Sequence, residues 1–298
     1  MRPSDLKDFD RFITRLRYDY HKVVLFERFD KFEKVLYHNR RCYKRLSRKY
    51  GDFIAALPDY EGGGHTSRTV WWCWFQGEEN APELTRACLR SLREHLKDRE
   101  IVVITEENMY DYIDFPDYIK EKYRKGIISR THLSDLIRLQ LLIKYGGTWI
   151  DSSVYCTGYN KISESFFDKD LFVFSHWKRG DIYCRLSNWF ITSGIGNPLL
   201  MATRDLLFEY WRRENRVEDY FIFHLFFTMA TERYPDEWKK VHRFSNVPPH
   251  ILQFEITDKF DEERFNEIKL MSDFHKLTQK ADFSECKGDT FYDHIINS

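Results

Sequence analysis

The stretch "RTHLSDLIRLQLLIKYGGTWIDSS", residues 130–153, carries the strongest fold signal of the chain. Before the glycines, apolar side chains lie almost all round a helix, which is typical of a helix buried inside a domain. Gly146 and Gly147 then have the form of a helix stop. "TWID" resumes as a strand and ends at Asp151. The stretch therefore predicts a buried helix, a tight turn and a strand in succession.

Two charged residues, Asp135 and Arg138, interrupt this apolar helix. They are three positions apart, so they share a face and can pair. A charged pair inside a buried helix is costly unless its polar groups are satisfied. Two interpretations are open at this point: a structural ion pair near the helix N-terminus, where a carboxylate also suits the helix dipole, or a substrate site.

Asp151 is predicted to lie at the end of a strand, followed by the hydroxyls of Ser152 and Ser153. In open α/β sheets, ligands bind outside the carboxyl ends of the strands. Divalent cations of the hard type take oxygen ligands. The position therefore predicts a place for such a cation together with a diphosphate.

Strands and helices alternate on both sides of this stretch. This alternation predicts an α/β fold with a largely parallel sheet. Strands are predicted at 69–75, 100–105, 147–157, 171–177 and 188–194, and helices at 81–96, 117–125, 130–145, 197–214 and 219–234.

The first 57 residues form a separate N-terminal helical segment in this interpretation. They hold 15 Lys and Arg against 8 Asp and Glu, with aromatic and aliphatic side chains at helical spacing. A linker is predicted at 58–67, where Pro58 precedes three successive glycines, and the main domain at 68–298. The basic helices fit either peripheral contact with an anionic membrane or packing on the main domain, since acidic residues interrupt their basic face.

Composition excludes several classes of protein. Of the 298 residues 42% are hydrophobic and 17% aromatic, as in a folded globular protein. The 47 basic and 47 acidic side chains cancel, so charge indicates no nucleic-acid partner. No run of 18 apolar residues predicts a membrane span. The six cysteines lack metal-type spacing and are expected to be free thiols. The N-terminus lacks an apolar signal region, so a cytoplasmic location is expected.

The pattern S-D-x-x-R, an apolar helix and then Y-G-G-x-W-I-D resembles the sugar-binding region of DXD-type glycosyltransferases. The chain is most similar to the bacterial capsular polysaccharide synthesis glycosyltransferases, which are related to Och1-type mannosyltransferases. The resemblance covers roughly residues 66–280. It implies a GT-A fold, in which a Rossmann-like nucleotide-binding half and a mixed central sheet are joined to an acceptor half, here with an N-terminal helical extension.

The resemblance assigns roles along the nucleotide-binding half. "VWWCWFQG" resembles the first strand of the family, which implies that Trp74 stacks on or beside the nucleotide base and that Gly77 allows close approach. "LSNWFITSGIGNP" also resembles a family segment and implies that Asn188 and Trp189 lie near the donor sugar.

The central motif carries the roles closest to the chemistry. The resemblance implies that Asp135 and Arg138 are catalytic residues that hold the donor sugar and the phosphate side of the donor. Asp151 matches the first acid of the DXD element and is expected to bind ribose and metal. The second acid of that element is Ser153 here, which removes one charge but keeps an oxygen donor.

Two further segments are assigned by resemblance alone. "FHKLTQK" resembles the C-terminal segment that closes over the diphosphate, which implies that His275 ligates metal or phosphate and that Lys276 or Lys280 neutralises charge. The expected metal ligands are therefore Asp151, Ser153 and His275. "EDYFIFH" implies an acceptor-side catalytic carboxylate at Asp219.

These features together predict a metal-dependent, retaining glycosyltransferase with Mn²⁺ or Mg²⁺. It would move a sugar from a nucleotide-sugar donor, a UDP-sugar in the first place, to a growing capsular or cell-surface polysaccharide or a lipid-linked glycan, in the cytoplasm or at the inner face of the membrane. The alternative is a non-catalytic nucleotide- or glycan-binding protein derived from a glycosyltransferase, suggested by Ser153. A nucleotidyltransferase is disfavoured because "FQGEENAPE" is acidic where a basic, glycine-rich loop is needed.

Overall fold

The structure, a computed structural model, describes residues 31–62, 64–175, 182–284, 286 and 288–298. The first 30 residues of the predicted N-terminal segment lie outside the described residues, and so does the end of the strand predicted at 171–177. The described chain folds around a six-stranded sheet with helices on both faces.

The strands form one mixed sheet and one small antiparallel pair. In the main sheet the order is β2-β1-β3-β6-β5-β7, with β1 parallel to β2 and β3, β5 parallel to β7, and β6 antiparallel to both neighbours. β4 pairs antiparallel with β8 outside this sheet. The bounds are β1 Thr69–Cys73, β2 Glu100–Ile104, β3 Gly147–Ile150, β4 Val154–Cys156, β5 Leu171–Ser175, β6 Leu186–Ser193, β7 His242–Ser245 and β8 Phe274–Lys276.

The helices connect these strands and cover both faces of the sheet. None of those in the described ranges is long and apolar enough to cross a membrane. Their bounds are α1 Lys31–Ala55, α2 Glu83–His95, α3 Met109–Tyr112, α4 Asp117–Arg124, α5 Arg130–Tyr145, α6 Lys161–Glu164, α7 Pro198–Arg213, α8 Ile222–Arg233, α9 Pro235–Lys240, α10 Val247–Glu255, α11 Glu262–Met271 and α12 Phe291–Asn297.

The four central strands of the sheet, β1, β3, β6 and β5, are largely buried on both faces. Successive side chains of a strand point to opposite faces, so Trp71 joins the core beneath α5, α7 and α8, while Trp72 joins the core on the other side. Both tryptophans are buried. Two residues later, Trp74 has left the strand and borders an open cleft. Trp71 and Trp72 of β1 are therefore core residues, whereas Trp74 lies at the cleft.

The link between α5 and β3 depends on two glycines. Gly146 has φ 67° and Gly147 has φ 91°, a region that favours glycine. A Cβ atom on Gly147 would lie 2.4 Å from the carbonyl oxygen of Thr69 in the neighbouring strand β1. The indole nitrogen of Trp71 donates to the carbonyl oxygen of Gly146 at 2.8 Å. The two glycines thus allow the start of β3 to pack closely against β1. This close packing sets the direction of β3 and therefore the position of Asp151 at its end.

The single strand predicted at 147–157 is wrong in one respect, because the structure forms two strands, β3 and β4. The chain turns between them, with the backbone N–H of Val154 donating to the carbonyl oxygen of Asp151 at 3.1 Å. Asp151 keeps one bond to the sheet, from its backbone N–H to the carbonyl oxygen of Trp189 at 2.8 Å. Beyond the turn, β4 leaves the sheet and pairs with β8.

Helix α1 packs on the main domain rather than standing apart from it. The ring of Tyr50 lies edge-on to Phe226 of α8, with ring centroids 5.4 Å apart, and contacts Tyr210 of α7. Tyr50 is fully buried and belongs to the same core as the sheet. The described part of the N-terminal segment thus shares one hydrophobic core with the domain predicted at 68–298.

The predicted α/β class with a mixed central sheet is confirmed. The β1-α2-β2 unit and the parallel strand β3 form the Rossmann-like half, and the antiparallel strand β6 begins the other half. This is the GT-A-like arrangement expected from the sequence.

Candidate active site

A cleft of about 720 Å³ opens where strands β1 and β3 end and strand β6 begins. This is the carboxyl-end position at which open α/β sheets bind ligands. It brings together eight residues that the sequence predicts for the site, namely Trp74, Asp135, Arg138, Asp151, Asn188, Trp189, Lys276 and Lys280.

Arg138 is the centre of the cleft floor. Its guanidinium donates to the carbonyl oxygen of Asn188 at 2.5 Å and to a carboxylate oxygen of Asp151 at 3.2 Å, and it lies 3.6 Å from a carboxylate oxygen of Asp135. It also lies over the ring of Trp149, 4.8 Å from the centroid. The side chain is buried. Arg138 therefore connects helix α5, strand β3 and strand β6 at a single point.

Asp135 is held beside Arg138 by neutral as well as charged partners. The side-chain amide of Asn188 donates to Asp135 Oδ1 at 3.0 Å, and His132 Nδ1 lies 3.9 Å from Asp135 Oδ2. Helix α5 places His132, Asp135 and Arg138 on one face because they are three residues apart. Its N-cap is Ser129, whose hydroxyl accepts from the backbone N–H of His132 at 3.3 Å.

Asp151 is the partly exposed carboxylate of the site, with about 24% of its side chain accessible. Its Oδ1 accepts hydrogen bonds from Trp149 Nε1 at 2.8 Å and from Arg138, and its Oδ2 lies 3.5 Å from the ammonium of Lys276. Burial alone would raise the pKa of Asp151. The charges of Arg138 and Lys276, with the Trp149 hydrogen bond, outweigh burial and lower this pKa. Asp151 is thus an anion with two cationic partners.

Aromatic rings and amine groups form the rim of the cleft. Tyr220 is exposed, and the ammonium of Lys280 lies 5.5 Å from its ring centroid. Trp189 is buried and stacks on Phe174, with centroids 4.5 Å apart. Trp74 also lines the cleft and is partly buried. Flat rings above a charged floor are suited to a molecule with both a planar apolar part and an anionic part.

Three buried donors that belong to cleft-lining side chains have no hydrogen-bond partner among the described residues. They are Nε of Arg138, Nε1 of Trp74 and Nε1 of Trp189. A buried N–H without a partner costs free energy. The three atoms are themselves buried, so they add to the cost of the cleft wall and are not donors open to a ligand.

The three predicted metal ligands do not all meet in the cleft. His275, the middle residue of β8, is fully buried, with its Nε2 2.9 Å from the hydroxyl oxygen of Thr157, and it does not line the cleft. Burial lowers the pKa of His275 to about 3, so the ring is neutral. Ser153 is buried, and its hydroxyl accepts a hydrogen bond from the ammonium of Lys276. Of the three, Asp151 alone reaches the cleft.

This donor set does not fit a resident Mn²⁺ or Mg²⁺. Such ions bind through one or two available carboxylates, together with waters and substrate phosphates. Here one oxygen of Asp151 is taken by Trp149 and Arg138, and the other faces the ammonium of Lys276. Two positive side chains thus surround the one carboxylate that would hold the ion.

Gly77 and Asp219 also lie outside the cleft lining. Gly77 has φ 83° and turns the chain into the 3₁₀ turn at Glu78–Asn80. Asp219 is buried and forms an ion pair with His38 of helix α1, while its other oxygen accepts from the backbone N–H of Phe221 at 2.6 Å. Asp219 therefore fixes the loop whose next two residues, Tyr220 and Phe221, border the cleft.

His38, Cys42 and Asp219 each place one donor atom within 4.8 Å of the others. Nitrogen, sulfur and carboxylate donors are those that Zn²⁺ takes in proteins. The three side chains already bond to one another, however. The ring nitrogen Nε2 of His38 bonds to Asp219 and lies 3.5 Å from the sulfur of Cys42. The group therefore acts as an ion pair that joins α1 to the loop of Asp219.

We expect this ion pair to make stability depend on pH. The hydrogen bond to Asp219 raises the pKa of His38 from 6.5 to about 10. Burial would raise the pKa of Asp219, but the bond from His38 lowers it below 3.8. The contribution, about 1 kcal/mol for a partly exposed pair, should be complete between about pH 4 and 6.5 and lost as pH rises from 6.5 towards 10. Urea unfolding of wild type and His38→Gln across this range measures it.

The matched control is His65→Gln, since His65 is exposed. Its difference from wild type should stay near zero at every pH. A His38→Gln difference that is constant from pH 5 to 10 would contradict the ion pair.

Sequence reasoning missed Trp149, Tyr220 and His38. Trp149 was detectable, because residues i and i+2 of a strand share a face and Trp149 is two residues before Asp151. In the segment "EDYFIFH" the sequence prediction was Asp219, whereas the next residue, Tyr220, lines the cleft. His38 bonds to a residue 181 positions away, and no local pattern in the sequence indicates that contact.

Comparisons with known proteins identify the family of the chain. Residues 23–295 match the sequence profile of the family described as capsular polysaccharide synthesis protein. The O-glycosyltransferase braB of Annulohypoxylon truncatum is 27% identical over an aligned length of 193. The match covers 59% of this chain and 45% of that protein, so it spans less than half of the relative. The solved PaToxG glycosyltransferase structure matches 78% of this chain and 86% of its own, with a TM-score of 0.40 and 16% identity. The family profile covers most of the sequence, and the chain belongs to the capsular polysaccharide synthesis protein family.

Proposed function

We propose that the protein is a glycosyltransferase that moves a sugar from a nucleotide-sugar donor, a UDP-sugar in the first place, to a glycan acceptor. The observation that carries the proposal is the cleft floor, where Asp135, Arg138, Asp151 and Asn188 are bonded to one another at the carboxyl ends of β1 and β3. Membership of a capsular polysaccharide synthesis family and similarity to an O-glycosyltransferase support it.

Each part of the donor has a matching part of the cleft in this proposal. The base stacks at Trp74, the sugar hydroxyls bond to Asp135 and Asn188, and the diphosphate lies beside the cationic side chains Lys276 and Lys280. Arg138 is buried and already bonded, so its role is to hold the two carboxylates in position rather than to move. Groups fixed before the reaction stabilise transition-state charge without reorganisation.

The reaction exchanges one bond to the anomeric carbon for another. The bond between that carbon and the β-phosphate oxygen breaks, and its electron pair leaves with the nucleoside diphosphate. The acceptor hydroxyl oxygen forms the new bond, and its proton passes to the departing diphosphate or to water. Retention of configuration stays a prediction from the sequence. The same holds for a catalytic role of Asp219 and for metal contacts from Ser153 and His275, since none of these three side chains lines the cleft.

The acceptor and the cellular location are proposals of the same kind. A capsular or cell-surface polysaccharide, or a lipid-linked glycan, fits the family description. Action in the cytoplasm beside the inner face of the membrane, with contact through the basic N-terminal segment, rests on the sequence alone.

A panel of UDP- and GDP-sugars tests the proposal through release of free nucleotide without acceptor, since transferases of this kind leak to water. We expect one donor to be hydrolysed, and Asp151→Asn to lower that rate by about 10²–10³-fold, as for loss of one preorganised electrostatic group. The matched control is Asp236→Asn at the surface, where the side chain is 82% exposed. Its rate should equal that of wild type.

A second candidate function is a non-catalytic protein that binds nucleotide or glycan. Ser153 in place of the second DXD acid favours it. Tight binding of a nucleotide without hydrolysis of any donor, and without transfer to capsular oligosaccharides, would support that candidate and contradict the transferase.

A further inference from the structure

We propose that the ammonium of Lys276, held between Asp151 and Ser153, takes the place of the divalent cation in this cleft, so that donor binding and transfer need no metal. The inference rests on the proposed function and specifies how the charge of the nucleoside diphosphate is neutralised. It departs from the metal-dependent reaction that the DXD-like motif predicts.

The first argument is the position of Lys276. Its ammonium bonds to the hydroxyl of Ser153 and lies 3.5 Å from Oδ2 of Asp151. Asp151 and Ser153 are the first and third positions of the DXD-like element. The ammonium therefore lies between the two side chains that would ligate a cation.

The second argument is the coordination left for a metal. Oδ1 of Asp151 already accepts from Trp149 and Arg138, so Oδ2 is the remaining ligand atom, and Lys276 faces it. A divalent ion at Oδ2 would meet the ammonium and the guanidinium at short range, and like charges in a partly buried site repel strongly. The serine at position 153 agrees with this arrangement, because a hydroxyl accepts a bond from lysine without adding a second negative charge.

The third argument is the direction of strand β8. Neighbouring residues of a strand point to opposite faces, so β8 can present either His275 or Lys276 to the cleft. Its pairing with β4 sets Val154 opposite Lys276 and Tyr155 opposite His275. Lys276 lines the cleft, while His275 is fully buried against Thr157. Strand β8 thus places the ammonium of Lys276 in the cleft and buries the imidazole ring of His275, which the sequence predicts as a metal ligand.

Charge balance on the floor points the same way. Arg138 is committed to the two floor carboxylates and the carbonyl oxygen of Asn188, and Arg130 at the cleft edge pairs with Glu106. Lys276, about 20% exposed and in contact with one carboxylate at 3.5 Å, can turn towards an incoming phosphate oxygen. Lys280 on the rim supplies a second positive charge.

Calorimetry with UDP and GDP, each in EDTA and in excess Mn²⁺, tests the proposal on wild type, Lys276→Gln and Lys276→Arg. We expect wild type to bind one nucleotide in EDTA, with an affinity that Mn²⁺ changes less than about twofold. Lys276→Gln should lose about 10- to 100-fold in affinity, the worth of one charged hydrogen bond, and Lys276→Arg should keep most of it. Lys259→Ala, at a side chain 82% exposed, is the matched control and should match wild type.

The failure of this inference differs from the failure of the proposed function. Binding that requires Mn²⁺ and disappears in EDTA would overturn the role of Lys276 and leave the nucleotide site in place. No binding of either nucleotide in either condition, by protein with a native melting transition, would overturn the nucleotide site and the inference with it.

A double variant provides an independent check. Ser153→Asp with Lys276→Ala restores two acids to the DXD-like element and removes the ammonium. We expect this variant to bind nucleotide weakly in EDTA and at least about tenfold more tightly in Mn²⁺, because carboxylate oxygens are preferred ligands of that ion. Equal affinity in both conditions would contradict the placement of Lys276 at the cation position.

Discussion

Arg138→Ala is expected to lower the free energy of unfolding by about 3–5 kcal/mol and to abolish donor hydrolysis. The physical reason is that the substitution leaves Asp135 buried and Asp151 partly buried without the guanidinium that neutralises them. Removing one partner of a buried ion pair costs this much, because an uncompensated charge stays in a low-dielectric site. Urea denaturation followed by tryptophan fluorescence measures the loss.

Two comparisons separate this effect from general loss of an arginine. Arg93→Ala breaks a two-bonded pair with Glu78 at the surface, and such pairs contribute less than about 1 kcal/mol. Adding Asp135→Asn and Asp151→Asn to Arg138→Ala should restore part of the lost stability, but not the activity. A loss below about 1 kcal/mol for Arg138→Ala alone would show that the floor carboxylates do not depend on the arginine.

Gly147→Ala is expected to destabilise the fold by about 2 kcal/mol or more. The residue has φ 91°, which L side chains rarely adopt, and the new Cβ would lie 2.4 Å from the carbonyl oxygen of Thr69 and 2.8 Å from the hydroxyl of Ser67. Backbone cannot give way as a flexible side chain can, so β3 must move away from β1. Because Asp151 follows β3 directly, donor hydrolysis should fall as well.

The matched control for this substitution is Gly51→Ala in helix α1. A Cβ at Gly51 meets nothing within 4 Å, and alanine is favoured over glycine in a helix by about 1 kcal/mol. Thermal melting should therefore rise for Gly51→Ala and fall for Gly147→Ala. A Gly147→Ala protein as stable as wild type would show that the close approach of β1 and β3 is not required.

Local patterns predicted most of the elements around the site. Short-range patterns identify helix α5 by its apolar periodicity, its end by two glycines, and strand β2 by its β-branched residues. All three features lie where the sequence predicts them. The pairing of Asp135 with Arg138 was predicted from helix spacing, yet their atoms are 3.6 Å apart while Arg138 lies 3.2 Å from Asp151. Helix geometry thus identified Asp135 and Arg138 but not Asp151 as the nearer carboxylate partner of Arg138.

Long-range pairing explains what sequence reasoning did not predict. The resemblance assigned both His275 and Lys276 to the diphosphate, but which one faces the cleft depends on the register of β8 against β4. A shift of one residue would exchange the two side chains, and no local signal sets that register. In the same way, the acceptor role predicted for Asp219 did not anticipate helix α1, which occupies its carboxylate through His38.

The pairing of β4 with β8 has a consequence for how binding and folding are coupled. Ser153 and Lys276 are 123 residues apart in sequence, so this corner of the cleft forms only after a large loop has closed, at an entropic cost. A ligand that spans Asp151 and Lys276 will hold β8 in place by mass action. Binding of such a ligand and local opening of β8 are therefore linked equilibria. As the cleft fills, the free energy of opening β8 should rise, and its backbone amides should exchange with solvent more slowly.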